Sequence, residues 1–393
     1  MANASVTIIV PIFNSDKFLE ETLQSIQNQS YKNIQVLLID DASSDSSPKI
    51  IKKYIDSDPR FQAFKNDFNR GVSYSTNVGL SNANGEYITF HDHDDIMFST
   101  KIATCVDILE KHTSFDGVIS VAEYISENGE SLGITSLLPD YITTNPYFVR
   151  AFERSYIPTW AMFLRSELLK DLRFDNENKI GNQDADLFLR LLYLRPRFFY
   201  LSSPQNKFRQ VSGSLSKKSS SSVEIYRKHK DIDIRELYKE AGYCESIINY
   251  ALARVNLWRE DSALALDYIQ AAHQGIDEIP LEEQDGVIFI HATCLYLNKL
   301  YVPCLEVLSN LKNGSYQAEV LNNQGVCWAL VGNLSKAKNS FEGALSIMSE
   351  YKDPKNNLKN FISPQSETVW QYTRFPLRNL YKILNICPQW SCK

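Results

Sequence analysis

Apolar runs alternate with segments of helical spacing in the N-terminal part of the chain. Residues 6–10 and 34–39 are short, branched and almost wholly apolar, which is typical of strands buried on both faces of a parallel sheet. Residues 61–64 and 87–90 have the same character. Between the runs, apolar residues recur every three or four positions, as in residues 18–26. The pattern predicts an α/β fold with a doubly wound, mostly parallel sheet.

Polar residues follow each of these apolar runs. They are residues 11–14 (PIFN), 40–41 (DD), 69–71 (NRG) and 92–95 (DHDD). Ligands of such sheets bind beyond the carboxyl ends of the strands, where all four segments are expected to meet. The chain has no glycine-rich phosphate loop near the first strand. We therefore expect a ligand that is held by side chains and a metal ion.

The helix starts are predicted from polar residues of the capping type. We expect Ser15 and Asp16 to open the first helix, and Ser43, Ser44 and Asp45 to cap the second.

The most informative of these segments is the acidic turn, residues 91–95 (HDHDD). Asp92, Asp94 and Asp95 repel one another, so their crowding favours a divalent cation among them. One alternative is an acidic cap for the helix predicted from residue 99, and we expect Asp95 to serve that helix. Another is a zinc site that uses His91 and His93, although no second ligand pair stands nearby.

A second acidic segment is predicted to begin a helix with apolar residues at 187, 191 and 194. Asp184 would lie in its first turn, where the helix dipole alone favours a negative charge. Asp186 and Arg190 are four positions apart and should form an ion pair. Trp160, in a strand predicted at residues 158–164, is either a platform for a sugar ring or a core residue.

The chain beyond residue 222 has the pattern of a helical repeat. Small and large residues at 325, 328, 332, 337, 341 and 344 recur with the same spacing 33 positions earlier, and a weaker copy begins at Ala253. This spacing resembles tetratricopeptide repeats. We expect two domains, residues 1–222 and 223–393, and a repeat surface that binds a peptide, an acceptor chain or another copy of the protein, or else only stabilises the first domain.

Composition narrows the function classes further. The net charge of −6 gives no indication of a nucleic-acid partner. Seven scattered cysteines without a C-x-x-C pair favour reduced thiols in the cytoplasm. Neither a signal peptide nor an apolar stretch of membrane-spanning length is evident. Basic residues at 374, 378 and 382 beside leucines predict either peripheral contact with the inner face of the membrane or a cap for the repeats.

Three segments, VTIIVPIFNSDKFLEETLQSIQNQSYKNIQVLLIDDASSDSS, NRGVSYSTNVGLSNANGEYITFHDHDD and GNQDADLFLRLL, resemble the family 2 glycosyltransferases of the GT-A fold. The resemblance covers residues 5–216 and implies transfer of a sugar with inversion from a nucleoside-diphosphate sugar, most often a UDP-sugar. It implies a Mn²⁺ or Mg²⁺ cofactor and a glycan, glycolipid or glycoprotein acceptor.

The resemblance also assigns expected roles to individual residues. The nucleotide base and ribose are expected at Pro11, Phe13, Asn14, Asp41, Asn69 and Gly71. The D-x-D element is Asp92-His93-Asp94, in which Asp94 would bind the metal directly and Asp92 would reach the ribose or a metal-bound water. Asp184 would be the general base that deprotonates the acceptor.

Two positions depart from the family pattern. Gln183 stands where the family usually has Glu, and Val211 stands where members often have a His. Lys217 and Lys218 are candidates to replace the positive charge of that His, in a run (residues 216–222) that is either a lid over the donor or a linker. The departures keep open a non-catalytic protein that binds nucleotide sugar and recruits partners through its repeats. A nucleotidyltransferase is disfavoured, because it would need a glycine-rich phosphate loop.

Overall fold

The computed structural model describes residues 4–153, 157–177, 183–211, 228–229, 233–311, 316–362 and 369–375. The chain divides into two compact units, residues 1–221 and 222–393. The predicted domain boundary after residue 222 stays a prediction, because it falls outside the described ranges. The question of lid or linker at residues 216–222 lies outside them too.

Unit 1 is built on a mixed sheet, which confirms the predicted fold class. Its strands are β1 (Val6–Ile12), β2 (Ile34–Asp40), β3 (Phe61–Lys65), β4 (Tyr87–Phe90), β5 (Ile96–Met97), β6 (Gly117–Ile125), β7 (Ser131–Thr135), β8 (Met162–Arg165) and β9 (Phe198–Arg209). Their order is β3-β2-β1-β4-β8-β6-β9-β5, with β7 paired to β6. The first four strands are parallel, whereas β8 runs antiparallel to both β4 and β6.

Helices pack on this sheet and bury the apolar side chains on both faces of its central strands. They are α1 (Leu19–Gln27), α2 (Ser47–Ser57), α3 (Val72–Asn82), α4 (Lys101–Lys111), α5 (Asp140–Thr143) and α6 (Gln183–Leu192). Helix α3 lies very close to the sheet at Gly79, where a Cβ atom would stand 2.4 Å from the Ile9 side chain. A larger residue there would push α3, and the loop before it, away from the strands.

Unit 2 is built from helices, and its described residues 369–375 are extended without forming helix or strand. The helices are α7 (Ile234–Glu240), α8 (Glu245–Trp258), α9 (Ser262–Gln274), α10 (Leu281–Leu297), α11 (Tyr301–Leu308), α12 (Gln317–Leu330), α13 (Leu334–Ile347) and α14 (Lys352–Ile362). No helix in the described part of the chain is both long and apolar enough to cross a membrane.

Three helix pairs, α8–α9, α10–α11 and α12–α13, coincide with the three predicted repeats. The turns between the paired helices contain Glu260, Lys299 and Gly332, with φ angles of 62°, 63° and 85°. These residues are equivalent in the repeat pattern, so the same left-handed turn recurs three times. The helix–turn–helix organisation is thus observed, while membership of the tetratricopeptide family stays a prediction.

Candidate functional site

The polar segments predicted to meet do follow neighbouring strands of the sheet. Residue 12 pairs with residue 40 in the parallel register of β1 and β2, and residue 9 pairs with residue 90 in that of β1 and β4. The turns after β1, β2 and β4 therefore leave the same edge of the sheet. Phe13 lies in the first of these turns with 41% of its surface exposed, and Pro11 is half-buried. An exposed ring at this edge can stack on a planar ligand group.

The turns after β1 and β2 are joined through side chains. The hydrogen bonds that connect them include Asn14 N to Ser43 Oγ, Ser44 N to Asn14 Oδ1, Ser15 N to Ser47 Oγ and Asp16 N to Asp45 Oδ2. The predicted helix starts were therefore partly wrong. Helix α1 begins at Leu19, because the backbone of residues 14–16 binds the neighbouring turn. Ser43 and Ser44 bond the first turn instead of capping α2, and only Asp45 accepts from the Ser47 N–H at its start.

Asp41 organises the third polar segment. Its Oδ1 accepts from Asn66 Nδ2 at 2.7 Å and from the Arg70 N–H at 2.9 Å, while Oδ2 accepts from the Gly71 N–H at 2.7 Å. Gly71 has φ +88° and precedes α3, where a side chain would strain the backbone. Asp41 therefore fixes the loop that presents the exposed Asn69. The predicted binding of the nucleotide base by Asp41, Asn69 and Gly71 stays a prediction.

The acidic turn is held from β9, not from the helix after it. Asp95 is fully buried, and its Oδ1 accepts from the Arg209 N–H at 2.8 Å. The Arg209 side chain donates to the carbonyl oxygens of Asp94 and Glu127 and pairs with Glu21 at 2.6 Å. Helix α4 begins later, at Lys101, with no side-chain cap. The expectation that Asp95 serves that helix was wrong, because β5 intervenes and pairs with β9.

Several polar atoms of this turn have no partner among the described residues. His91 Nδ1, His93 Nδ1 and Asp95 Oδ2 are buried without a hydrogen bond there, and the Asp94 carboxylate makes none. Burial lowers the pKa of His91 to about 3, so its imidazole is neutral, with Nε2 3.3 Å from the Asp95 carbonyl. Unpaired buried polar groups cost free energy. The turn therefore has binding capacity that the described chain leaves unused.

The carboxylates of the site repel one another. Burial raises the pKa of Asp92 to about 8, and the charges of Asp94 and Asp184 add to this rise. The pKa of Asp95 is raised well above its usual value for the same reasons, burial first and then the charges of Asp92 and Asp94. Asp184, distant in sequence, is thus close enough to Asp92 to interact with it. The structure brings together the two acidic centres that were predicted to act together.

Asp184 occupies the first turn of α6, as predicted. Its Oδ2 lies 3.4 Å from the Thr159 N–H, and burial raises its pKa to about 6. Asp186 pairs with Arg190 at 2.6 Å, which confirms the predicted ion pair. Trp160 is only 5% exposed and packs against Phe208, so it is the core residue of the two alternatives.

Lys101 places a buried positive charge behind the acidic turn. Its Nζ donates to the Trp160 carbonyl at 2.8 Å and to Asn206 Oδ1 at 3.3 Å. Burial lowers the pKa of Lys101 to about 8, while the charges of Cys105, Asp95 and Asp92 oppose that effect. Trp160 directly follows Thr159, whose N–H donates to Asp184. By bonding the Trp160 carbonyl, Lys101 therefore holds in place the backbone segment that contacts Asp184.

Sequence reasoning missed the roles of Lys101 and Arg209. A signal existed for Lys101, because a lysine in the first turn of a helix opposes the helix dipole, and positions 101, 105 and 109 share the apolar face of α4. For Arg209 we find no comparable local signal, since its partners lie up to 188 positions away in the chain.

The donor atoms of the described residues limit the kinds of metal site that the chain can form. Within the described ranges, no group of three or more His, Cys, Asp or Glu side chains is arranged to hold an ion. The zinc alternative therefore finds no support in that part of the chain. A site with fewer protein ligands remains compatible with the geometry, because the Asp94 carboxylate is unengaged and a hard divalent cation prefers such oxygens.

Comparisons with known proteins identify relatives of the first unit. Residues 7–173 match the family model described as "Glycosyl transferase family 2". An uncharacterized glycosyltransferase of Haemophilus influenzae is 33% identical over 192 residues, which cover 48% of this chain and 71% of that protein. Glycosyltransferase GlyA of Streptococcus pneumoniae is 31% identical over 229 residues, or 55% of this chain, but the match spans only 32% of GlyA.

A solved structure has a similar fold. The crystal structure of S. aureus TarS 1-349 in complex with UDP-GlcNAc superposes with a TM-score of 0.53 at 20% sequence identity, covering 75% of this chain and 87% of TarS 1-349. At this identity the likeness concerns the fold alone.

Proposed function

The chain belongs to glycosyl transferase family 2, and we propose that it transfers a sugar, with inversion, from a UDP-sugar to a hydroxyl group of a glycan, glycolipid or glycoprotein. The observation that carries the proposal is the acidic turn with its unengaged Asp94 carboxylate, which follows β4 at the sheet edge where the turns after β1 and β2 also leave. The complex of the fold relative with UDP-GlcNAc supports the choice of a UDP-sugar donor, as does the family resemblance of Pro11, Phe13, Asn14 and Asp41.

Asp184 is the proposed general base. The acceptor oxygen attacks the anomeric carbon as the bond from that carbon to the diphosphate oxygen breaks, and the hydroxyl proton passes to Asp184. A carboxylate with a pKa near 6 is ionised at neutral pH, yet it is basic enough to take a proton in the transition state. The Thr159 N–H orients the carboxylate, and Lys101 holds the segment that carries this N–H.

Asp94 and Asp92 are the proposed holders of a divalent cation, Mn²⁺ or Mg²⁺. Bound there, the cation would supply positive charge for the departing nucleoside diphosphate. Support comes from the unengaged Asp94 carboxylate and from the mutual repulsion of the three acids, which a positive charge would relieve. His93 belongs to the same turn, and its Nδ1 is free of partners within the described residues.

The test measures release of UDP from a panel of UDP-sugars with manganese or magnesium, after a thermal-shift screen has selected the donor. We expect Asp184→Asn and Asp94→Asn each to lower kcat/KM by about 10²–10⁴-fold. Asp107→Asn, a matched change in an exposed ion pair with Lys111, should leave it unchanged. In the parent protein kcat/KM should decrease as the pH is lowered through about 6, because Asp184 must be ionised to act as a base.

The competing hypothesis is a nucleotide-sugar-binding protein without turnover, motivated by Gln183 and Val211. Donor affinity by calorimetry, without UDP release under any of these conditions, would establish that alternative. Full activity of both the Asp94 and Asp184 variants would contradict the assignment of the site itself.

The repeats of unit 2 are proposed to recruit a protein partner or another copy of the chain.

A further inference from the structure

Residues 369–375, which we call the strap, lie in unit 2 without forming helix or strand. Three asparagine side chains bind the main chain of the strap. Asn357 accepts from the Gln371 N–H at 2.7 Å and donates to the Gln371 carbonyl at 3.0 Å. Asn323 makes the same pair of bonds with Thr373, at 2.8 and 2.9 Å, and Asn322 adds a second bond to the Gln371 carbonyl. The bonds fall on alternate residues, as they do when an extended peptide joins a sheet edge.

Aromatic side chains of the strap stack on rings from the helices. The pairs are Trp370 on Phe341, Tyr372 on Tyr296 and Phe375 on Trp258, with ring centroids 5.8, 3.8 and 4.5 Å apart. Tyr372 is 4% exposed, and the Thr373 hydroxyl donates to Asp353 Oδ2 at 2.7 Å. The helices therefore bind the strap in two ways. They hydrogen-bond its backbone, and they contact the side chains of a four-residue pattern, in which an aromatic residue, any residue, a second aromatic residue and a threonine follow one another.

The receiving side chains depend on the strap. Asn322, Asn323, Asn357 and Asp353 are fully buried. An amide left buried without a partner costs about 1–3 kcal/mol, so these residues favour occupancy by an extended backbone. Every main-chain bond that they make uses groups present in any extended peptide.

We propose that the surface formed by α10, α12 and α14, the strap groove, is a binding site for an extended peptide, and that the strap is its resident, exchangeable ligand. The peptide it accepts in place of the strap has aromatic residues two positions apart followed by threonine, as in Trp370-Gln371-Tyr372-Thr373. The site is independent of sugar transfer and needs no residue of unit 1.

The experiment uses the full chain with a protease cleavage site inserted between residues 362 and 369. After cleavage, a fluorescent peptide of residues 367–377 is added and its anisotropy is measured. We expect saturable binding, at least about tenfold tighter than to the uncleaved chain, where the tethered strap competes. A peptide carrying Tyr372→Ala should bind at least about tenfold more weakly, because it loses the stacked ring on Tyr296.

Groove variants provide matched controls. Asn323→Ala and Asn357→Ala should each weaken peptide binding by about tenfold, since each removes two main-chain hydrogen bonds. Asn356→Ala removes no main-chain bond to the strap, only bonds with the side chains of Gln371 and Lys359, so it should change peptide binding by no more than about twofold.

Circular dichroism before and after cleavage distinguishes an exchangeable ligand from a permanent part of the core. Helicity that survives release of the strap, or that the added peptide restores, supports the proposal. If the cleaved strap stays bound against excess peptide, or if helicity is lost and the peptide does not restore it, the proposal is wrong.

Discussion

The acidic turn of unit 1 and the strap groove of unit 2 both bury polar side chains, but they satisfy them differently. In the groove, Asn323 and Asn357 use both the nitrogen and the oxygen of their amides. In the turn, His93 Nδ1 and Asp95 Oδ2 have no partner among the described residues, and the pKa of Asp92 is raised to about 8. Because unpaired buried groups are costly, the turn has capacity for a partner from outside the described residues, whereas the groove amides are already paired with the strap.

Arg209 offers the largest test of this comparison, because among the described residues it bonds the acidic turn through both its backbone N–H and its side chain. Arg209→Met leaves the carbonyls of Asp94 and Glu127 without their donor, and we expect it to destabilise unit 1 by about 3 kcal/mol. Hydrogen exchange of the β5 and β9 amides measures the loss. Lys207→Met, two positions earlier on the same strand, is the control and should cost less than about 1 kcal/mol. Equal effects of the two variants would show that Arg209 has no special role.

Thr373 tests the other side of the comparison, where pairing is complete. Thr373→Val keeps the shape of the side chain but removes the donor to Asp353 and the hydroxyl that contacts Tyr351. We expect the strap to lose about 2 kcal/mol of binding free energy, since a buried acceptor left without its donor costs about 1–3 kcal/mol. The measurement is hydrogen exchange of the strap amides. The reverse change at an exposed position of the strap, Val369→Thr, should have no effect. Unchanged protection in Thr373→Val would mean that the hydroxyl does not anchor the strap.

The sequence predicted what depends on local pattern and missed what depends on distant contacts. Apolar runs indicate buried strands, so the sheet edge and the turns that carry Asp41 and Asp94 could be inferred. The helical spacing of apolar residues likewise indicated that Asp184 lies in the first turn of a helix. The start of α1 could not, because the backbone of Asp16 is bound by Asp45 in another loop.

The role of Asp95 shows the same limit at longer range. Its partner Arg209 is 114 positions away, and only the folded sheet brings the two together. In unit 2 the repeat spacing indicated the helix pairs, but nothing in the spacing of Asn322, Asn323 and Asn357 revealed that they bind one segment of backbone.

The pH dependence of stability offers the subtlest way to sharpen the comparison. A carboxyl group whose pKa is raised in the folded state stabilises the fold while it is protonated, and this contribution is lost as pH rises from about 4 through about 8.

With a chelator present, unit 1 should therefore lose stability between about pH 5 and pH 8, as measured by scanning calorimetry of the full chain. Asp92→Asn cannot ionise, so it should be more stable than the parent at pH 8, by up to about 5 kcal/mol for the full rise in the Asp92 pKa, and should show a flatter profile. Added Mn²⁺ or Mg²⁺ should stabilise the parent more at pH 8 than at pH 5, and Asp92→Asn less than the parent, because a cation favours the ionised carboxylates. In the strap groove the amides of Asn322, Asn323 and Asn357 do not titrate, so Asn356→Ala and the parent should share one pH profile. A parent profile that is flat with chelator would mean that Asp92 and Asp94 are not held in mutual repulsion, and the distinction between the two clusters would then rest on hydrogen bonds alone.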